Sequence, residues 1–301
     1  MDNDFKPEIN TDTTPEYNVY QEQNAPTQEA IHGLSTEEEK DPNKIEVTIA
    51  NTSIPVVVLY GPAQCGKTMT LIRLTRWLKQ NGFRIEPERS FRPSHDKHYK
   101  QMCDEFNTIA SQNEAAKSTG YISFMLVQVS DSTGTPICQI LEAPGEYYFD
   151  KEKPNALYPT YVQNIIHGPN RKIWCMMVEP DWENQSDRIN YSNKIQTLST
   201  QMSSRDKAIF IYNKIDLSQF VINVGNINTK SAYKDVEFKY PGIFARFRRN
   251  NILFGRTDNF KFIPFQTGTY VVAQDGTKIF TPGNDNYPKL LWDAILKYTR
   301  G

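Results

Sequence analysis

Residues Gly61 to Thr68 carry the clearest chemical pattern in the sequence. They run Gly-Pro-Ala-Gln-Cys-Gly-Lys-Thr and fit the spacing G-x-x-x-x-G-K-[ST]. Glycine permits a turn in which successive backbone N–H groups point at phosphate oxygens, and a following helix N-terminus adds partial positive charge. Lys67 can then neutralise terminal phosphates, and the Thr68 hydroxyl can coordinate Mg²⁺. The pattern predicts a phosphate-binding P-loop; the alternative is a chance glycine-rich turn.

A second pattern, Asn213-Lys214-Ile215-Asp216, follows a predicted buried strand at 208–212. In an N-K-x-D turn the aspartate carboxylate can accept hydrogen bonds from the N1–H and 2-amino groups of guanine. Adenine has neither donor and would leave that carboxylate unpaired. Asn213 and Lys214 would hold the loop and cover the base. Alone, the pattern also describes an ordinary polar turn, but after a P-loop it indicates a guanine nucleotide.

A third group, Glu142 to Glu146, ends another predicted strand and lies between the two motifs. An acidic side chain at a strand end, three residues before a glycine, can reach the ligand shell of Mg²⁺. The N–H of Gly145 can sense a γ-phosphate. We therefore expect Glu142 to act at the metal. The alternative is an ordinary exit from a strand into a loop.

Hydrophobic periodicity indicates the elements that must position these motifs. Continuous apolar runs are typical of strands buried in a parallel sheet, and apolar residues three or four apart are typical of helices. The predicted strands are 45–49, 54–60, 121–129, 135–141, 172–178, 208–212 and 260–265, with a second hairpin at 269–280. The predicted helices are 67–80, 159–167, 186–202 and 287–300. Strands separated by helices predict an α/β fold: a mostly parallel sheet with one antiparallel edge strand and helices on both faces.

Composition excludes some classes of protein. Of 301 residues, 38% are hydrophobic and 23% charged, which excludes a wholly disordered chain. The longest apolar runs are far shorter than the roughly 18 residues of a membrane helix. The acidic N-terminus is unlike a secretory signal, and the four cysteines form no metal-ligand pattern. We expect a cytoplasmic protein with reduced thiols and no zinc site.

The charge is divided unevenly along the chain. Residues 1–44 hold eleven acidic and three basic residues, whereas 45–301 hold 24 acidic and 31 basic ones. We expect a disordered acidic arm at 1–44 and one domain at 45–301, with insertions at about 81–117 and 218–259. A basic body suits a phosphate-bearing ligand, although a solvated surface explains the same charge.

The order P-loop, x-x-P-G-E, N-K-x-D resembles that of the Ras-like and translation-factor class of P-loop GTPases. The resemblance covers about residues 54–300 and suggests a divergent, bacterial-type member. It implies a three-layer P-loop NTPase fold, Mg²⁺-dependent binding of GTP and its hydrolysis to GDP. It also implies a molecular switch with a protein effector or regulator.

The resemblance implies further site residues. In the class, a threonine before the second strand closes on Mg²⁺ and the γ-phosphate; Thr119 lies 23 residues before Glu142, and Ser118 is its rival. A loop after the last core strand contacts guanine, and Gln266 and Thr267 match it by position. The implied nucleotide-binding residues are Gly61, Gln64, Cys65, Gly66, Lys67, Thr68, Met69, Gly145, Asn213, Lys214, Asp216, Gln266 and Thr267. The implied metal ligands are Thr68, Thr119 and Glu142, and the implied catalytic residues are Lys67, Glu146 and Thr119.

Two positions depart from the class. Glu142 stands where the class has Asp, and Glu146 stands where a glutamine often orients the attacking water. A carboxylate beside a triphosphate is repelled, although it could act as a base, so we expect slow intrinsic hydrolysis. A partner, or one of Arg84, Arg89 and Arg92 in cis, could supply the missing charge; a solvated loop is the alternative for each arginine.

Other readings stay open. One is a GTP-binding scaffold with negligible hydrolysis, and another is an ATP-using P-loop protein in which N-K-x-D is accidental. The basic cluster of Arg246, Arg248 and Arg249 is typical of one solvated helix face, so nothing firmly indicates nucleic acid. Cys65, beside a helix N-terminus, could have a lowered thiol pKa and respond to oxidants.

Overall fold

The structure is a computed structural model that describes residues 34–111, 124–180, 182–251, 255–272 and 278–300. The strands are β1 Val56–Tyr60, β2 Arg84–Pro87, β3 Met125–Ser130, β4 Pro136–Glu142, β5 Lys172–Val178, β6 Lys207–Tyr212, β7 Val221–Asn223, β8 Asn226–Ile227, β9 Arg248–Asn251, β10 Gly255–Asp258, β11 Phe260–Pro264, β12 Gly268–Val272 and β13 Lys278–Pro282. The helices are α1 Thr36–Lys40, α2 Lys67–Gln80, α3 Lys97–Ser111, α4 Thr160–His167, α5 Gln185–Gln201, α6 Thr229–Lys239 and α7 Asn286–Thr299.

A seven-stranded sheet in the order β11-β6-β5-β1-β4-β3-β2 forms the centre of the fold. β1 pairs in parallel with β4 and β5, and β6 pairs in parallel with β5 and β11. Because parallel strands share a direction, the carboxyl ends of β1, β4 and β6 meet at one edge of the sheet. The three motifs that follow these strands are therefore brought together.

The predicted fold class is confirmed. Every residue of β1 and β5 is buried, as their continuous apolar runs predict. Helix α2 packs with α3 and α7, and α5 contacts the segment that follows α6. The predicted hairpin corresponds to β3 and β4, which pair in antiparallel orientation. An additional strand, β2, pairs antiparallel to β3 and forms the edge of the sheet.

The predicted edge strand at 45–49 is wrong. This segment has no regular structure, and the Thr48 N–H donates to the Phe91 carbonyl at 2.8 Å. Ile45 is nevertheless buried. The alternation of apolar residues therefore reflects packing of an irregular segment, not a strand ladder.

The expected insertion at 81–117 contains β2 and α3 in its described part. The buried face of α3 consists of Tyr99, Met102, Cys103, Phe106 and Ala110, which lie three or four residues apart. The polar residues of the opposite face concealed this helix in the sequence.

The expected insertion at 218–259 contains the β7–β8 hairpin, α6 and the β9–β10 hairpin. Arg248 does not lie on a solvated helix face as predicted, because it opens β9. Its guanidinium pairs with Glu237 at 2.5 Å and Asp258 at 3.2 Å, and it lies 5.3 Å from the ring centre of Phe244. This part of the basic cluster holds the fold together.

The expectation that the acidic arm is disordered as far as residue 44 is wrong for residues 34–44. Residues 36–40 form α1, a 3-10 turn follows at 42–44, and Leu34 is only 3% exposed. Residues 1–33 lie outside the described residues. Among the helices described, none is long and apolar enough to cross a bilayer.

Candidate functional site

The P-loop connects the end of β1 to the start of α2, as its spacing predicts. Gly66 has φ +88°, a conformation that disfavours any residue with a Cβ. A Cβ there would also lie 2.5 Å from Nδ2 of Asn213, and one at Gly61 would lie 2.7 Å from Sγ of Cys65. Both glycines of the pattern are therefore required by backbone shape and close packing.

Lys67 and Thr68 open α2 and face the predicted metal region. Lys67 is 4% exposed, and its Nζ donates to the carbonyl oxygen of Pro62 at 2.9 Å. The Thr68 hydroxyl donates to Oε1 of Glu142 at 3.0 Å. The P-loop and the end of β4 are thus in direct contact through two residues that the sequence placed at the metal.

Glu142 ends β4 and is 2% exposed. Burial raises the pKa of its carboxyl to about 8, although Lys67 and the bond from Thr68 act to lower it; the nearby Glu146 raises it further. Oε2 of Glu142 is buried and accepts no hydrogen bond from the described residues. An unpaired carboxyl oxygen beside a hydroxyl is a donor set that suits Mg²⁺, which prefers oxygen ligands and whose charge would favour the ionised carboxylate.

Gly145 packs directly on the P-loop. A Cβ at this position would lie 2.3 Å from both the Ala63 nitrogen and the Pro62 carbonyl carbon. Even alanine would force the backbone to move. The segment that follows β4 therefore rests against the loop expected to hold phosphates.

The N-K-x-D turn follows β6 and is tied to the P-loop by two side chains. Nδ2 of Asn213 donates to the carbonyl oxygen of Cys65 at 2.9 Å. Nζ of Lys214 donates to the carbonyl oxygen of Gln64 at 3.2 Å, and Lys214 itself has φ +52°. The two motifs, nearly 150 residues apart in sequence, form one connected unit.

Glu179 is a further residue of this unit, and no sequence motif predicts it. It follows β5, is 6% exposed, and its Oε2 lies 2.8 Å from Nζ of Lys214. Burial raises the pKa of Glu179, and Lys214 opposes that rise. The Tyr240 hydroxyl donates to the Glu179 carbonyl at 3.1 Å and accepts from its N–H at 3.3 Å. The sequence signal that could identify Glu179 is an acidic residue directly after a buried strand that pairs with β1.

Arg73 was also missed. It projects from α2, is 2% exposed, and donates to the Gly283 carbonyl at 2.7 Å and to Oδ1 of Asp285 at 2.5 Å. Gly283 in turn donates to the Thr267 carbonyl at 3.3 Å. The helix of the P-loop thereby fixes the base of the β12–β13 hairpin.

A cleft of about 820 Å³ lies between these motifs. Its lining residues include most of the predicted site: Gln64, Gly66, Lys67, Thr68, Met69, Glu142, Gly145, Glu146, Asn213, Lys214, Asp216 and Thr267. Four further residues line it: Ala63, Pro144, Leu217 and Gly268. Asp216 is exposed at the rim.

Several predicted residues do not line the cleft. Gly61 and Cys65 lie buried within the P-loop, and the Gln266 side chain lies near Gly283 at the base of the β12–β13 hairpin. Thr119 and its rival Ser118 fall outside the described residues. Their predicted roles stay predictions.

The thiol of Cys65 differs from its prediction. Cys65 is 2% exposed, and burial raises its pKa to about 11 despite the nearby ammonium of Lys67. Removal of the thiolate from water outweighs the effect of neighbouring positive charge. The pKa argument for redox control is therefore wrong.

The three arginines suggested to act in cis do not line the cleft in the described part of the chain. Arg84 is exposed in β2, and Arg89 is exposed and pairs with Asp104. Arg92 is buried and pairs with two carboxylates outside the cleft. The basic residues that line the cleft are Lys67 and Lys214.

Comparisons with known proteins give structural matches only. No protein-family model matches the chain, and no curated protein matches it. A nucleolar GTP-binding protein 1 from Plasmodium falciparum matches with TM-score 0.40 and 13% identity, over 85% of this chain and 92% of that one. The chloroplast translocon components atToc33 and psToc159 match with TM-score 0.40 and 11% identity, over 82% and 83%. A GTPase from Pyrococcus abyssi in its apo form matches with TM-score 0.37 and 10% identity, over 82% and 98%. All three are described as GTP-binding proteins or GTPases.

Proposed function

We propose that the protein binds GTP together with Mg²⁺, hydrolyses it to GDP and acts as a molecular switch. The observation that carries this proposal is the hydrogen bond from Asn213 to Cys65, which joins the guanine-recognition turn to the P-loop at one cleft. A triphosphate at Lys67 and a base at Asp216 would thus belong to the same ligand.

The phosphates would bind along the P-loop. Lys67 would exchange its present acceptor, the carbonyl of Pro62, for oxygens of the β- and γ-phosphates. Thr68 and Glu142 would hold Mg²⁺, with phosphate oxygens and water completing its ligands. Bound there, the ion neutralises charge on the β- and γ-phosphates. Thr119 is the proposed further ligand.

The base would bind at the opposite end of the cleft. Asp216 would accept hydrogen bonds from the N1–H and 2-amino groups of guanine. Lys214, held by Gln64 and Glu179, would lay its aliphatic stem against the base. Thr267, which lines the same end, would contact the base through its backbone.

Hydrolysis would use residues at the phosphate end. A water oxygen attacks the γ-phosphorus, the bond from that phosphorus to the bridging oxygen breaks, and GDP and phosphate leave. Glu146 would orient this water and accept its proton, while Lys67 stabilises charge on the bridging oxygen. Because a carboxylate at position 146 is repelled by a triphosphate and stands where a glutamine often orients the water, we expect a slow rate without a partner.

Glu142 and Glu146, which stand where the class has Asp and often Gln, favour a second candidate function, a GTP-binding scaffold with negligible hydrolysis. Single-turnover hydrolysis of radiolabelled GTP by the full chain separates the two. A rate well above that of GTP in buffer, lost in Lys67→Ala, supports the GTPase. A rate equal to that in buffer leaves the scaffold. A cytoplasmic location and an effector or regulator stay predictions of the sequence.

A further inference from the structure

Arg73 is a buried charge on α2, the helix that opens with Lys67 and Thr68. Its side chain is 2% exposed, and its Nη2 donates both to the Gly283 carbonyl at 2.7 Å and to Oδ1 of Asp285 at 2.5 Å. Its Nε has no hydrogen-bond partner among the described residues. Burying a guanidinium with one nitrogen unpaired is costly, and an apolar side chain would fill the same space without that cost. The choice of arginine is therefore explained by what its Nη2 holds.

Gly283 connects Arg73 to the segment 266–268, which follows β11. The Gly283 N–H donates to the Thr267 carbonyl at 3.3 Å. A Cβ at position 283 would lie 3.3 Å from Oε1 of Gln266, 3.4 Å from the Gln266 carbonyl oxygen and 3.5 Å from Cα of Gly268. A single residue thus separates the buried guanidinium from this segment.

The segment 266–268 lies beside the N-K-x-D turn. Its strand, β11, is the parallel neighbour of β6, and the Phe265 N–H donates to the Tyr212 carbonyl at 2.8 Å. The chain therefore leaves the ends of both strands side by side, at the same edge of the sheet. The last two residues of the segment line the cleft together with Asp216.

The hydrogen-bonding edge of guanine carries the 2-amino group, N1–H and O6 in a row. Asp216 is the proposed acceptor for the first two groups. O6 is an acceptor, so the neighbouring segment must offer it a donor. The Thr267 carbonyl is directed at Gly283. Because the peptide bond is planar and trans, the Gly268 N–H of the same peptide points away from Gly283 and is suited to donate to O6.

We propose that Arg73 is a positioning residue for base selectivity: it fixes the segment 266–268 to the P-loop helix, at the place where the Gly268 N–H reaches O6. This inference rests on the proposed function. Without the guanidinium, the Gly283 carbonyl loses its donor and the segment is released from α2. A movement of about 1 Å is enough to break a hydrogen bond to the base. Asp216 follows a different strand and keeps its contact with the 2-amino group.

The experiment measures Kd of the full chain for Mg·GTP, Mg·6-thio-GTP and Mg·ITP. The 6-thio analogue replaces O6 by sulfur, a larger and weaker acceptor, and keeps both groups that Asp216 would bind. ITP keeps O6 and N1–H and lacks the 2-amino group, so it reports on Asp216. We expect the wild type to bind GTP at least about fivefold more tightly than either analogue, the effect of about one hydrogen bond.

Arg73→Met keeps an unbranched side chain in the core and removes the guanidinium. We expect its preference for GTP over 6-thio-GTP to fall below about twofold, and its preference for GTP over ITP to stay within about twofold of the wild type. Equal loss of both preferences would show a general loosening of the site. Unchanged preferences would show no role in base selectivity, and either result overturns the proposal.

Asp285→Asn tests the same contact if Arg73→Met does not fold. The Asp285 side chain is 67% exposed and makes no capping hydrogen bond to α7, so the fold tolerates loss of its charge. We expect its preference for GTP over 6-thio-GTP to fall by at least about twofold, with the preference over ITP retained. Asp293→Asn is the matched control on α7, at a side chain that is 54% exposed and pairs with Lys289. The control should match the wild type, and an Asp285→Asn variant that behaves like it overturns the proposal.

The wild-type chain separates failure of this inference from failure of the proposed function. Equal affinity for GTP and 6-thio-GTP overturns the role of Arg73 and leaves GTP binding intact. A wild-type chain that binds none of the three nucleotides overturns the proposed function itself.

Discussion

Nδ2 of Asn213 lies 2.9 Å from the carbonyl oxygen of Cys65, so the turn after β6 is bonded directly to the loop after β1. The contact joins the carboxyl ends of β1 and β6 across β5, the strand that lies between them in the sheet. The side-chain amide of Asn213 also occupies the space that a side chain at position 66 would need. One asparagine therefore sets the distance between the two ends of the cleft.

Replacing Asn213 tests this connection. In Asn213→Ala the Cys65 carbonyl loses its buried donor, which costs about 1–3 kcal/mol of stability. We expect GTP affinity to fall at least about tenfold, because the loss of about 1.4 kcal/mol of binding free energy changes a binding constant by that factor. Calorimetric titration and thermal unfolding measure the two effects. Asn193→Ala, on the exposed side of α5, is the control; equal affinities in the two variants would contradict the role of Asn213.

A second prediction concerns Asp216 at the rim of the cleft. In Asp216→Asn the carboxylate that would accept from guanine becomes an amide, which can donate to the C2 carbonyl of xanthine. We expect GTP affinity to fall and affinity for xanthosine triphosphate to rise, each by about one to two orders of magnitude. Competition titration with both nucleotides measures the change. Undiminished GTP binding by this variant would show that Asp216 does not contact the base.

A third prediction concerns Glu179, which holds Lys214. Glu179→Gln removes the charge that faces Nζ of Lys214 at 2.8 Å and leaves Lys67 and Thr68 unchanged. We expect affinities for GTP and GDP to fall together by up to about tenfold, since Lys214, whose side chain is 38% exposed, loses the buried carboxylate that positions it. Stopped-flow dissociation of a fluorescent GDP analogue measures this loss as a faster off-rate.

The matched control for that variant is Glu183→Gln. Glu183 undergoes the same chemical change four residues away, where its carboxylate is a third exposed and pairs with Lys151. We expect its off-rate to match the wild type. An off-rate in Glu179→Gln that is no faster than in the control would remove Glu179 from the site.

The three motifs could be placed from the sequence because their strands are buried, continuous and apolar. Such runs identify parallel strands, and parallel strands bring their carboxyl ends together, so Lys67, Glu142 and Asn213 had to meet. The lining of the cleft follows from this one rule. The bacterial-type origin and the role of Thr119 stay predictions.

The features that were missed depend on contacts between distant parts of the chain. Glu179 pairs with a residue 35 positions away, and Arg73 pairs with one 212 positions away. Neither contact leaves a local pattern. The packing of residues 34–44 depends on Arg92, whose partner Glu38 lies 54 positions away and leaves no local pattern. Cys65 shows the same limit, because its burial outweighs the neighbouring positive charge.

A fourth prediction concerns pH and Glu142. Its pKa is raised to about 8 in the folded protein, against an ordinary value near 4.5. Between these values the folded state binds a proton that the unfolded chain does not, so this contribution to stability is present below pH 4.5 and is lost as pH rises through 8. We expect the Tm of the nucleotide-free protein to fall from pH 5 to pH 8.5.

Glu142→Gln isolates this effect, because the amide cannot titrate. We expect a shallower dependence of Tm on pH in this variant than in the wild type, both measured in EDTA by differential scanning calorimetry. Addition of Mg·GTP should raise the Tm of the wild type more than that of the variant. Identical pH dependence of the two proteins would contradict the assignment of the raised pKa to Glu142.

The central claim is that one cleft binds a guanine nucleotide through Lys67, Thr68 and Asp216. Calorimetric titration of the nucleotide-stripped full chain with Mg·GTP and, in parallel, with Mg·ATP tests it most directly. We predict saturable binding of GTP, no measurable heat with ATP and loss of the GTP signal in Lys67→Ala. Binding of ATP as tightly as GTP, or binding of neither nucleotide by folded protein, would contradict the claim.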